Sequence, residues 1–220
     1  MWSFLRRRFR APAPLHRSFP GSPSGVEVFD RGPYRLMRFL DSQKLVQGKQ
    51  HRTIPLDYGL NYLQQHLLAT CMHPEPKTVL VLGLGVGAIP QLCRALYPNI
   101  ELTIIELNPA VIEAAKTCFS FEGSTRCQVL CSDANDWLNM YEGPPFDIIF
   151  NDCFDGLLES VPMRSLSAIH RLASHLSKSG LLITNLLAHQ NIPHSEWVEK
   201  ELLHNWVWPA HLKSNISYIL

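Results

Sequence analysis

Thr78-Val-Leu-Val-Leu-Gly83-Leu-Gly85-Val-Gly87-Ala-Ile-Pro90 is the stretch whose reading decides the fold. Residues 79–82 are a continuous apolar run, the pattern of a strand buried on both faces of a parallel sheet. The three glycines after it permit a tight turn and let a ligand approach the backbone without a Cβ in the way. From Ala88 the apolar residues Ile89, Leu92, Cys93 and Leu96 recur at helical spacing until Pro98 stops them. Strand, glycine turn and helix in that order open a β-α-β unit. A glycine run at that position points to a nucleotide-type ligand more strongly than the run alone would.

The same alternation continues downstream. Residues 102–106 read as a second strand ending on Glu106, and Asn108-Pro109 supplies an N-cap and a proline for a helix to about 119. Residues 127–131 are a third strand, and Asp133 leads into a short helix through Trp137. Gly143-Pro144-Pro145 turns the chain into a fourth strand at 146–151. A helix over 165–176, a fifth strand at 181–187, a helix at 195–204 and a sixth strand at 216–220 complete the pattern. Repeated alternation of this kind predicts an α/β fold with a doubly wound, mostly parallel sheet.

Upstream, residues 26–29 and 34–40 flank Asp30-Arg-Gly-Pro33 as a β-hairpin. Residues 41–52 are polar and loop-like, with room for a third short strand. A helix is expected from Asp57 to about Cys71 on the spacing of Leu60, Leu63, Leu67 and Leu68. The chain thus divides into a basic, disordered leader (1–24), a small β element (25–55) and an α/β domain (56–220).

Composition excludes more than it selects. The 220 residues carry a net charge of +1, which gives no global reason to expect nucleic acid or a membrane surface as partner. No apolar run approaches the roughly 18 residues of a membrane span. Residues 1–25 hold five arginines and no acid, so the remainder carries −4 (+1 less those five). That leader resembles a mitochondrial transit segment, or it is a basic tail with no address. The expected location is the cytoplasm, with the mitochondrial matrix as the alternative. The six cysteines form no CxxC pair and no metal-like cluster with histidine, so reduced core thiols and no metal are expected. The late tryptophans Trp197, Trp206 and Trp208 suit packing better than ligand stacking.

In open α/β sheets a ligand lies outside the carboxyl ends of the strands, at the point where the strand order reverses. Gly83, Gly85 and Gly87 fall there. Glu106 ends the second strand 19 residues after Gly87, where an acid accepts hydrogen bonds from ribose hydroxyls. Asp133, with Ala134 beside it, can meet an adenine amino group, can cap the helix through Trp137, or can do both. These groups suit either NAD or S-adenosylmethionine and its decarboxylated form. Asn151-Asp152-Cys153-Phe154-Asp155 then places two carboxylates three residues apart at the same crevice. Group transfer from a sulfonium to an amine needs such acids, one with a raised pKa to take a proton and one to hold the cationic amine. Capping of the next segment is the plainer use of both.

Four segments carry a resemblance to the spermidine synthase-like (polyamine aminopropyltransferase) branch of the class I S-adenosylmethionine-dependent methyltransferase fold, over residues 34–187. They are Phe39-Leu40-Asp41, Val81-Leu-Gly-Leu-Gly-Val-Gly87, Glu106-Leu-Asn-Pro109 and Asp152-Cys-Phe-Asp155. The resemblance implies Asp152 as the base and Asp155 as a ligand of the amine. It implies S-adenosylmethionine or its decarboxylated form as co-substrate, and a small-molecule amine or another acceptor as partner. A homodimer formed through the N-terminal element is implied as well. The chain departs from that family at Val86, where the loop has an aspartate that binds the aminopropyl ammonium. It departs again at Asp57-Tyr58-Gly-Leu-Asn-Tyr62-Leu63, which lacks the family's glutamates. The fold has seven strands in that family and six are counted here. A methyltransferase, and a scaffold subunit that keeps the fold without catalysis, are the alternatives.

Overall fold

The predicted hairpin is the middle of a four-stranded antiparallel sheet, β1 (His16–Phe19), β2 (Val26–Arg31), β3 (Tyr34–Phe39) and β4 (Val46–His51), paired in that order. The computed structural model describes residues 14–41, 46–54, 56–59, 61–155, 158–159, 163, 166–185 and 216–219. β1 corrects the expectation of a disordered leader through residue 24. His-Arg-Ser-Phe has no apolar alternation of its own. It becomes a strand because it pairs with β2, His16 opposite Phe29 to Phe19 opposite Val26, and because Phe19 is buried. β4 fills the place left for a third short strand.

The main unit follows as α1 (Asn61–Thr70), β5 (Thr78–Leu82), α2 (Ala88–Leu96), β6 (Glu101–Glu106), α3 (Pro109–Cys118), β7 (Cys127–Cys131), α4 (Ala134–Met140) and β8 (Phe146–Asn151). A two-stranded hairpin of β9 (Phe154–Asp155) and β10 (Leu158–Glu159) comes next, then α5 (Leu166–Ser174), β11 (Leu176–Asn185) and β12 (Ile216–Ile219). Six strands lie in the order β12-β11-β8-β5-β6-β7, and every neighbouring pair is parallel. This is the doubly wound sheet expected. Among the described residues it has six strands and no seventh.

Of the boundaries that differ, one changes the type of element. Leu176, expected to close a helix, opens β11 opposite Phe146, and the register shifts before Leu181. Ser177-Lys-Ser-Gly180 reads as a turn because it is polar and glycine-ended, yet it is carried in the strand by the pairing on either side of the irregularity. The predicted helix at 195–204, strand residues 186–187 and the three late tryptophans lie outside the described residues.

Strand residues alternate between the two faces, and the core divides accordingly. Val79 and Val81, Leu102 and Ile104, Ile148 and Phe150, Leu181 and Ile183 pack with the buried sides of α1, α2 and α3 and with Phe19, Val26, Val28 and Met37 of the small sheet. Leu80, Leu82, Ile105, Ile149 and Leu182 pack on the other face with Leu138 of α4 and with Ile169 and Leu172 of α5. No described helix is long and apolar enough to cross a membrane. All six cysteines are free, but Cys71 and Cys131 are exposed, which corrects the expectation of core thiols for those two.

The small sheet is fastened to both ends of α3. Arg35 Nη1 donates to Cys118 O at the end of α3 (2.9 Å), and Asn108 Nδ2 donates to Ser24 O (2.6 Å). Asn108 is buried, and its Oδ1 also caps α3 by accepting from Ala110 N (3.0 Å). Loss of a cap costs about 0.5–2 kcal/mol, and a buried carbonyl stripped of its donor adds about 1 kcal/mol. Asn108→Ala is therefore expected to lower unfolding stability by about 2 kcal/mol, read as a lower urea midpoint. An unchanged midpoint would show that neither bond contributes.

Candidate functional site

The crevice forms where the strand order reverses, between β5 and β8. After β5 the chain proceeds to β6 and β7 on one side, then returns to add β8 on the other. The turns after β5 and β8 are tied to their neighbours. Gly83 N donates to Ile105 O (2.8 Å), and Asp152 N donates to Leu82 O (2.9 Å). Gly83 has φ 92°, and a Cβ there would run into the carbonyl oxygen of Asp152. Gly87 (φ 78°) precedes α2, and a Cβ on it would stand 2.9 Å from the Phe121 ring. Both need glycine for close approach as well as for torsion.

Glu106 reaches back from the end of β6 to the glycine turn. Its Oε2 accepts from Leu84 N (2.8 Å) and its Oε1 from Asn108 N (2.8 Å). Burial pushes its pKa up, and amides of Leu84, Asn108, Gly85 and Leu107 oppose that by favouring the charged form. The residue stays partly accessible. Glu106 therefore shapes the loop itself, a role that the strand-end position alone does not announce.

Asp133 Oδ1 accepts from Asn135 N (2.8 Å) and Asp136 N (3.0 Å), so the capping reading of this residue holds. Ala134 is the first residue of α4. Asp152 follows the last residue of β8. Its Oδ1 accepts from Asn185 Nδ2 (2.8 Å) at the end of β11. Burial pushes the Asp152 carboxyl up to about 7, Asn185 pulls the other way, and the charge of Glu106 raises it again. The residue keeps part of its surface accessible even so. The Cys153 thiol is pushed up by burial and by the fields of Glu106, Asp152 and Asp133. Three of the predicted acids are thus gathered at one place. Asp155 lies in β9 opposite Leu158, and its side chain lies outside the described part of the chain.

Two asparagines escape a reading of the sequence. Asn185 is the first; its signal is an apolar run, Leu181-Leu-Ile, giving way to Thr184-Asn185 at a strand's carboxyl end, as strand two gives way to Glu106. The second, Asn151, is buried, and its Nδ2 donates to Met163 O (3.0 Å) while its Oδ1 has no partner among the described residues. It tethers the segment beyond β10 to the end of β8. Asp57, the one acid in the stretch 57–63, is occupied locally: Oδ1 accepts from Gly59 N (2.9 Å) and Oδ2 from the Tyr34 hydroxyl (3.5 Å). Val86 is buried, with its Cγ1 2.8 Å from where a Cβ on Gly48 of β4 would sit. No group of three or more potential metal ligands occurs among the described residues.

A doubly wound sheet with a glycine turn, a strand-end acid and a half-buried acid at its switch point is the class I methyltransferase-like architecture. Within it, the chain belongs to the spermine/spermidine synthase domain family, whose model matches residues 65–207. It is 29% identical over 165 residues to a polyamine aminopropyltransferase of Vibrio vulnificus (strain CMCP6), a match over 73% of this chain and 55% of that protein. It is also 30% identical over 122 residues to the eEF1A lysine and N-terminal methyltransferase of Danio rerio, over 51% of this chain and 18% of that one. The chain therefore spans about half the length of the first relative and less than a fifth of the second. The crystal structure of human methyltransferase-like protein 13 in complex with SAH superimposes with a TM-score of 0.55 at 22% identity, over 60% of this chain and 67% of that one.

Proposed function

We propose that the chain binds an S-adenosylmethionine-type sulfonium and transfers an alkyl group from it to an amine nitrogen, with Asp152 as the base. The observation that carries this reading is the Asp152 carboxyl, lodged at the switch point with a pKa raised to about 7. A base poised near the working pH takes a proton most effectively. The protonated amine gives its proton to Asp152, and the freed lone pair attacks the carbon bonded to the sulfonium. The carbon–sulfur bond breaks, its electrons return to sulfur as a neutral thioether, and the new carbon–nitrogen bond forms. Gly83, Gly85 and Gly87 would form the wall against the donor, Glu106 the ribose contact, and Asp133 with Ala134 the adenine edge. Asp155 is proposed to hold the amine. The anionic surroundings formed by Glu106, Asp133 and Asp152 suit a sulfonium and an ammonium alike.

Family membership supports an aminopropyl group, and so the decarboxylated donor. Methyl transfer is the second reading, and Val86 favours it. That position offers hydrocarbon packed against Gly48, so the loop gives the donor's tail only backbone groups and no counter-charge for an ammonium. Calorimetric titration with S-adenosylmethionine and with its decarboxylated form separates the two. At least tenfold tighter binding of the decarboxylated form is expected for aminopropyl transfer, and the reverse order for methyl transfer. Binding of neither would overturn the proposal.

A further inference from the structure

Asn185 stands at the carboxyl end of β11, in the strand adjacent to β8, where Thr184 lies opposite Asn151. Its Nδ2 donates to one oxygen of Asp152 at 2.8 Å. We infer that Asn185 is a positioning residue: it fixes the Asp152 carboxylate through Oδ1 and leaves Oδ2 as the oxygen that takes the acceptor's proton. This rests on the alkyl-transfer reading for its catalytic meaning, though not for its test.

A lone carboxylate rotates about its last bond and presents either oxygen, whereas one held by a donor from a rigid strand presents a defined face. The donor comes from the sheet: β11 and β8 are parallel neighbours through residues 181–184, so their ends lie side by side. The groups that act on Asp152 are few: Glu106 from β6 is anionic, and Cys153, the next residue, is a neutral thiol held in the same anionic field with Asp133. Among the described residues acting on Asp152, Asn185 alone favours its charged form, and none of them is a cation. Without it, burial and Glu106 would both act against ionisation with nothing opposing them. A neutral donor suits this place better than lysine or arginine, which would hold the carboxylate ionised and weaken it as a base.

The test is a carbon-13 NMR titration of the full chain labelled at aspartate carboxyls, with the Asp152 signal assigned by its absence in Asp152→Asn. In the wild type the Asp152 midpoint is expected near 7. In Asn185→Leu, which keeps the volume and removes the donor, the midpoint is expected to rise by about one to two units. Asn185→Gln, which retains an amide donor, should move it back towards the wild type. An unchanged midpoint in a folded Asn185→Leu protein would overturn the inference. Should that variant fail to fold, Asn185→Val, which also has no donor, is read in its place, with the same rise expected and the same constancy fatal. Neither donor nor acceptor is present in the titration, so its result is independent of turnover. Once an acceptor is in hand, Asn185→Leu should lower kcat, leave the donor's KM within about twofold, and shift the rising limb of the pH profile upward. A strand-end asparagine with a merely structural role would leave the pH profile where it is.

Discussion

Asp152→Asn is expected to cut alkyl transfer by a factor of about 10²–10⁴, the usual contribution of a positioned general base, while leaving the affinity for an adenosyl ligand within a few-fold. The substitution is nearly isosteric. The amide oxygen it introduces can still accept from Asn185 Nδ2, so the geometry of the crevice survives and only the proton acceptor is lost. The same change has a second consequence, opposite in sign. The Asp152 carboxyl has an unfolded-state pKa near the ordinary 3.8 and a folded-state value of about 7. Where the folded pKa of an acid is raised, the folded state binds the extra proton, and stability falls as pH climbs between the two values. Asp152→Asn removes that dependence. It should therefore match the wild type below about pH 4, gain on it steadily up to about pH 7, and hold an advantage of at most about 4 kcal/mol above that, the ceiling set by about three pKa units. Thermal unfolding across this range checks the trend. A variant that turns over normally and shows no pH-dependent gain would remove Asp152 as base and as a strained acid at once. Inactivity with increased stability is the expected trade at a functional site.

How much of this is legible in the sequence depends on whether a residue's role is set by its own segment. Residues 79–82, 102–106 and 146–151 read as strands because burial inside the sheet leaves mostly apolar runs, and the structure places β5, β6 and β8 there, while 127–131 forms the largely exposed edge strand β7. Gly83 and Glu106 are legible for the same local reason, lying at the ends of such runs. β1 is not, because His16–Phe19 is a strand only by virtue of β2 beside it. Asn185 escapes on similar grounds. Its partner is 33 residues away in sequence, and the hydrogen bond exists only because β11 lies next to β8. Glu106 is an intermediate case: its position is plain from its strand, but its hold on Leu84 N and Asn108 N depends on how the glycine turn folds back towards β6. Val86 reads as a missing charge, and the structure adds what replaces it, a contact with Gly48 that joins the small sheet to the loop.

The glycine turn is held by backbone contacts on both sides, and Gly83→Ala carries a large expected structural effect. At φ 92° an alanine is strained by about 1–2 kcal/mol from its own backbone. Its Cβ would also overlap the carbonyl oxygen of Asp152. The overlap is not relieved by a rotamer, since both partners are backbone. The carbonyl cannot retreat cheaply, because Asp152 N is bonded to Leu82 O and Gly83 N to Ile105 O, which ties both turns to the ends of β5 and β6. Separation of the two turns would move the Asp152 carboxylate away from Asn185 and open the crevice. A total loss of about 3–5 kcal/mol is therefore expected, with adenosyl-ligand affinity lowered at least tenfold. Gly32→Ala supplies the internal comparison. Gly32 lies between β2 and β3 with φ 60°, and a Cβ there would meet nothing within 4 Å, so only the torsional cost of about 1 kcal/mol applies. Urea unfolding of the two variants separates torsion from contact. If Gly83→Ala costs no more than Gly32→Ala, the turns after β5 and β8 are not in contact as described, and the placement of Asp152 at the donor site fails with them. A difference of about 2 kcal/mol or more between the variants, with ligand binding lost only at Gly83, is the result that ties the glycine turn to the base.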